Sequence, residues 1–156
     1  METTDFTLTL MTEQTPQQVF QAINNVRSWW AGYHSEEIKG GTEKLNDEFT
    51  FHAAGGAHYT KQKLVEVVPD KKVVWLVTES EFSYVEKKDE WTNTKVIFEI
   101  SKKDGKTQLV FTHKGLTPEI ECYESCAPSW SQYLQNRLLP LINTGKTSIT
   151  LNNTEK

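Results

Sequence analysis

Arg137 stands out first among residues that could do chemistry. A 3.6-residue period counted from Trp130 sets it close to the centre of an otherwise apolar stripe. A guanidinium facing an enclosed space would grip a carboxylate, a phosphate or a polyketide oxygen, because it is planar and bonds in parallel pairs. The plainer alternative is a side chain that snorkels near the helix end, or one paired with a strand carboxylate such as Glu66 or Glu99. The aromatic residues Trp29, Trp30, Tyr33, Trp75, Trp91, Trp130 and Tyr133 would suit a flat apolar ligand, and are equally ordinary core material. Adjacent helical residues cannot both face inward fully. One of Trp29 and Trp30 is therefore expected at a cavity mouth or on a partner-binding surface.

His58 and His113 fall on strands. His113 continues the side of Leu109 and Phe111, so it is expected to point inward, either as an acid/base group or as a hydrogen-bonded core histidine. Cys122 and Cys126 are four apart, a metal-compatible spacing. A site needs two further ligands, though, and only His34, His52, His58 and His113 are on offer from elsewhere. Small buried apolar residues are the simpler reading of both cysteines, and no metal and no cofactor are expected. A nucleophilic Cys122 would need a base that the sequence does not place. Asp47, Glu48, Glu79 and Glu81 read as solvated strand-end charges. No phosphate loop, nucleophile elbow or HExxH occurs, so no catalytic residue is assigned.

These side chains need elements to hold them. Thr117 to Gly145 carries Ile120, Tyr123, Cys126, Ala127, Trp130, Tyr133, Leu134, Leu138, Leu141 and Ile142 on one stripe, which predicts a long amphipathic helix. Thr117 is its expected N-cap, Pro118 its first residue and Gly145 its stop, with Glu119 and Glu121 beside the positive end. Pro128 projects opposite the stripe, so a kink there keeps the phase, and Pro140 interrupts the helix a second time. At the other end of the chain, Asp5–Thr12 alternates as a half-buried strand. Thr15-Pro16-Gln17-Gln18 then forms a capping box for a helix bearing Val19, Phe20, Ile23 and Val26. Asn24-Asn25 ends that helix, and Arg27–Trp30 makes a second short turn.

Six further strands are predicted at Glu36–Lys39, Glu48–Ala53, His58–Val68, Lys72–Glu81, Thr94–Lys102 and Thr107–His113. Gly40-Gly41, Gly55-Gly56, Pro69-Asp70 and Asp104-Gly105 mark the turns, the last a strong hairpin signal. Short links between successive strands imply antiparallel neighbours. The expected fold is thus α+β: a curled antiparallel sheet of about six to seven strands around a long C-terminal helix, with two short helices between strands 1 and 2. A cavity between sheet and helix would be lined by Trp30, Tyr33, Trp75, Phe98, Phe111, His113, Trp130, Tyr133 and Arg137.

The 156 residues suit one domain, expected over residues 1–147, with residues 148–156 as a flexible tail. A hydrophobic content of 37% is modest, and the 11% of aromatic residues supplies the area a core needs. A net charge of −4 with scattered lysines argues against nucleic acid, which calls for a basic face. The first residues carry neither a basic export signal nor a long apolar run, and two cysteines make no disulfide framework. A cytoplasmic location away from membranes is expected.

Three stretches carry a resemblance to a known family. They are FTLTLMTEQTPQQVFQAI with the aromatic turn RSWWAG, the paired strands KLVEVVPDKKVVWLV, and the ending WSQYLQNRLLPLINTGK. With this element order the chain resembles the START-like (SRPBCC, helix-grip) superfamily, and within it the family similar to the activator of heat-shock protein 90 ATPase homologue. The likeness covers about residues 5–147. It implies the helix-grip fold and admits several functions, because relatives include lipid carriers, allergens, polyketide cyclases and co-chaperone domains. The expected role is binding of a small hydrophobic or amphipathic ligand (lipid, polyketide or flavonoid-like) without turnover. One alternative is a cyclase or aromatase using Arg137, His113 and Tyr133. Another is a stress-related co-chaperone domain with a chaperone partner.

Overall fold

The computed structural model describes residues 5–31, 35–53, 55, 58–83, 89–117 and 123–144. Alternating side chains build β1 (Phe6–Thr12), in which Leu10 is buried and Met11 exposed. The capping box forms as expected: the Thr15 hydroxyl accepts from Gln18 N, and Gln18 Oε1 accepts from Thr15 N. It opens α1 (Pro16–Asn24), which buries Val19 and Ile23, and α2 (Val26–Trp29) follows at once. Six strands then run as β2 (Glu37–Gly40), β3 (Glu48–Ala53), β4 (His58–Val68), β5 (Lys72–Phe82), β6 (Lys95–Lys103) and β7 (Lys106–Lys114). All seven join in one antiparallel sheet of order β1-β7-β6-β5-β4-β3-β2.

The chain enters β7 through a tight hairpin. Asp104 and Gly105 both have positive φ, 54° and 81°, which matches the right-handed twist of the flanking strands. Two register shifts between β4 and β5 add local twist and bend the sheet. Its concave face presents Phe49 and Phe51 from β3, Gln62 and Leu64 from β4, Trp75 and Val77 from β5, Phe98 from β6, and Phe111 and His113 from β7, all buried. Across that face lies the C-terminal helix, in three parts: α3 (Tyr123–Tyr133), a π-helical turn (Leu134–Leu138) and α4 (Leu139–Thr144). Its expected stripe is the buried one, with Cys126, Ala127, Trp130, Tyr133, Leu134, Leu138, Leu141 and Ile142 all covered, while Pro128 faces solvent. The expected cap at Pro118, with Glu119, Ile120, Glu121 and Cys122, and the stop at Gly145, lie outside the described residues, as does the tail.

The helix differs from expectation just before Pro140. Proline has no N–H to give the carbonyl four residues back, and its ring crowds that carbonyl. The helix widens there, and Leu139 N–H reaches Leu134 O, five residues back. A second correction concerns Trp29 and Trp30, which are both buried, at 0% and 2% exposure. Trp30 is the cap of α2 with φ −91° and ψ 55°, so its side chain leaves the helical direction and the adjacent-residue argument no longer applies. Among the described residues no helix is long and apolar enough to cross a membrane.

Removing the cap hydroxyl in Thr15→Ala is expected to cost about 1 kcal/mol. Urea unfolding checks this as a lower midpoint with an unchanged slope.

Candidate functional site

Between the sheet and the C-terminal helix the five tryptophans meet in one stack. Trp29 lies against Trp75 at 6.2 Å, Trp75 against Trp30 at 5.6 Å, Trp30 against Trp130 at 5.0 Å and Trp130 against Trp91 at 5.8 Å, with interplanar angles of 10–24°. They arrive from four parts of the chain: Trp29 and Trp30 from α2 and its cap, Trp75 from β5, Trp91 from the turn before β6, and Trp130 from α3. Phe51 covers the other side of Trp30 at 3.8 Å, and Phe98 meets Trp75 edge-on at 5.0 Å. Phe111 tilts against Trp130 at 4.7 Å. Such ring pairs add to the area they bury when offset or edge-to-face.

His113 is buried beside this stack. Trp130 Nε1 donates to His113 Nδ1 over 3.1 Å, and His113 Nε2 lies 2.9 Å from Thr94 Oγ1. An indole nitrogen can only donate, so Nδ1 must carry the lone pair and Nε2 the proton. The Thr94 hydroxyl, receiving that proton, donates onward to Trp91 O over 2.5 Å. Protonating Nδ1 would set two N–H groups against each other. Burial accordingly holds the His113 pKa well below its usual 6.5, at about 3, and His58 pushes it the same way. A ring so engaged has no free nitrogen for acid–base work near neutral pH.

Local backbone keeps Thr94 in place. Asn93, at φ 71°, turns the chain so that its N–H meets Val77 O, while Val77 N–H meets Thr94 O. Gly115, at φ 106°, faces Thr94 so closely that an added Cβ would sit 2.6 Å from its methyl.

The remaining expected residues fall around the stack. Trp30, Trp75, Phe98, Phe111, His113, Trp130 and Tyr133 all lie buried in the one core, and Tyr33 lies outside the described residues. Tyr133 donates its hydroxyl to Glu36 over 2.5 Å, tying α3 to the segment before β2. Arg137 is half-buried on the π turn rather than central, because each residue of the wider turn rotates less than the roughly 100° of an α-helix. The lag brings Leu138 to the centre, at 0% exposure, and leaves Arg137 on the flank. Glu66 pairs with Lys72 at 3.7 Å. Cys126 is buried, and Cys122 lies outside the described residues. Among the described residues no three of His, Cys, Asp and Glu gather as metal ligands would.

Some polar groups were missed by sequence reasoning. Trp75 Nε1, Trp91 Nε1 and Gln62 Oε1 are buried without a hydrogen-bond partner among the described residues. Alternation along β4 sets Gln62 on the inner side with Leu64, which was the available signal. Three hollows are lined by described residues. One of about 330 Å³ lies between α1 and α4, one of about 280 Å³ by Arg27 and Ile38, and one of about 620 Å³ by Phe6, Tyr123 and Pro128. None of these three is lined by the aromatic stack.

The histidine makes stability depend on pH with a definite sign. Above pH 6.5 His113 is neutral folded or unfolded. Between 6.5 and about 3 the unfolded chain binds the extra proton. Its contribution is therefore complete above 6.5 and drains away as pH falls, by up to about 1.4 kcal/mol per pH unit. Urea unfolding from pH 7 to pH 4 is expected to show this slope, and His113→Gln to flatten it.

A family model described as "Activator of Hsp90 ATPase homolog 1-like protein" matches residues 13–142. Among proteins with curated descriptions, none matches the sequence. The solution structure of the Aha1 dimer from Colwellia psychrerythraea superposes with a TM-score of 0.71 at 19% identity, over 92% of this chain and 98% of that one. Ara h 8.0201 gives 0.59 at 14%, over 90% and 98%, and CalU16 from Micromonospora echinospora 0.55 at 15%, over 87% and 73%. At such identities these likenesses concern the fold, and they agree with the curled sheet gripping a C-terminal helix. With 13–142 matched, the chain belongs to the Activator of Hsp90 ATPase homolog 1-like family.

Proposed function

We propose that the protein binds a flat apolar or amphipathic small molecule, of the lipid, polyketide or flavonoid kind, between the concave face of the sheet and the C-terminal helix. It holds the molecule without turning it over, in a cytoplasmic setting. The observation that carries this reading is the joined stack of five tryptophans. Stacked indoles exchange a ring partner for a flat ligand with little change in contact chemistry, so rings that part to admit one regain most of what they lose. Trp30, Tyr33, Trp75, Phe98, Phe111, Trp130 and Tyr133 are the proposed walls, with His113 as a fixed neutral member. Arg137, half-buried on the flank, is the proposed partner for an acidic group on the ligand. The engagement of both His113 nitrogens supports binding over a cyclase-type reaction, since it removes the acid–base candidate.

A ligand present at a hundred times its Kd stabilises the folded state by about 2.7 kcal/mol, a rise in Tm of roughly 5–10 °C for a chain this size. A thermal-shift panel of fatty acids, flavonoids and aromatic polyketides is expected to contain such compounds. Arg137→Ala should lose the shift for carboxylate-bearing ones alone. A flat response across the panel would sink the reading.

A second reading is a co-chaperone-like domain that regulates a heat-shock ATPase. The family match favours it, as does the close ring packing, since a protein acting through its surface needs no internal space. It expects the chain to change the hydrolysis rate of purified, active Hsp90. An unchanged rate refutes it.

A further inference from the structure

We infer that Trp75 and Gln62 form a polar anchor for a phenolic hydroxyl, an assignment that rests on the ligand-binding reading above and specifies its chemistry. Both residues have 0% exposure on the concave face. Gln62 on β4 pairs with Val77 on β5, and Leu64 pairs with Trp75, so Gln62 and Trp75 are diagonal neighbours across one strand pair. Diagonal positions lie about 7–8 Å apart, within reach of long side chains. Phe49 links them: it pairs with Gln62 across β3 and β4, and its ring meets Trp75 edge-on at 5.0 Å. The Gln62 amide nitrogen donates to the Thr60 hydroxyl, while its carbonyl oxygen has no partner among the described residues. The Trp75 N–H has none either.

Neighbouring buried groups show what the fold does elsewhere. Trp29 Nε1 donates to Ile23 O over 3.1 Å, Trp130 Nε1 to His113, and Thr94 is engaged on both sides. Trp91 Nε1 is likewise unmet among the described residues, but Trp75 has in addition an unmet acceptor at the diagonal position of the same strand pair, and a donor and an acceptor so placed mark a site for a third group.

The chemistry of that partner follows from what is missing. An indole nitrogen only donates and an amide oxygen only accepts, so one atom that accepts the first bond and donates the second meets both. A hydroxyl does this. A carbonyl or ether would serve Trp75 alone, and an ammonium would lose its hydration among apolar walls. With the amide turned over, a hydroxyl accepts from both residues, so the match survives either orientation. Trp29, Trp30, Phe49 and Phe98 surround the Trp75 ring at 5.0–6.2 Å, so the hydroxyl is best carried by a flat aromatic ring.

The test compares 2-naphthol with 2-methylnaphthalene, which has the same outline and a methyl in place of the hydroxyl, by titration calorimetry. The wild-type chain is expected to bind 2-naphthol about tenfold more tightly. Trp75→Phe, which keeps a ring and deletes the N–H, and Gln62→Leu, which keeps the volume and deletes the amide, should each bring the two compounds within twofold. Neither variant should weaken 2-methylnaphthalene by more than it weakens 2-naphthol. Gln62→Leu removes a buried unmet atom together with the bond to Thr60, two opposing effects, so its melting temperature should stay near that of the wild type, and it decides the matter if Trp75→Phe folds poorly. Equal wild-type affinities would mean the pair holds only water, which overturns the anchor and leaves ligand binding standing. If neither compound binds while a fatty acid does, the anchor is again overturned. If nothing in the panel binds, the ligand reading falls and the anchor with it.

Discussion

The bond from Trp130 Nε1 to His113 Nδ1 joins the C-terminal helix to β7 at a point where both are fully covered, and much of the interior is arranged around it. It dictates the tautomer of the imidazole, which sends the remaining proton to Thr94, and Thr94 in turn holds the carbonyl of Trp91. Four residues from three segments of the chain are thereby held in one line of donors and acceptors. Because the line is saturated and buried, no member can change its role without leaving another unmet. The stacked indoles depend on this line. Trp91 and Trp130 are parallel to within 10°, and each is held by a bond to the same chain of groups.

The π turn shows a similar dependence of geometry on one residue. Pro140 removes a donor, the helix widens by one residue, and the turn that follows carries Leu138 into the core and Arg137 to its edge. The side chain then stands half-buried on the flank of the core rather than at its centre. A straight α-helix would have driven the guanidinium toward the tryptophans.

Aromatic rings dominate the interior. Five stacked indoles make a core that is dense yet chemically suited to flat guests, since one ring face resembles another. The same density is compatible with a protein that acts through its surface. The buried polar atoms left unmet among the described residues bear on the proposed ligand reading, because a core serving packing alone gains by having none.

Much of the architecture was legible in local pattern. The alternation of β1, the Thr15–Gln18 cap, the Asp104-Gly105 hairpin and the stripe from Tyr123 to Ile142 each depend on neighbours within a turn or a strand, so sequence alone determined them. Of the residues expected to line a ligand cavity, Trp30, Trp75, Phe98, Phe111, Trp130 and Tyr133 pack into one core with His113 buried beside them, Arg137 stands on its flank, and Tyr33 lies outside the described residues. What local pattern could not supply was the relation between elements. The inward turn of Trp30 comes from a cap that departs from helical angles, and the phase of Arg137 from a π turn. The tautomer of His113 comes from an indole 17 residues away, and the unmet pair at Gln62 and Trp75 from the strand register. Those features are set by which donors, rings and carbonyls tertiary packing brings together, and a hydrogen bond or a stacked ring has no meaning until both partners are in place.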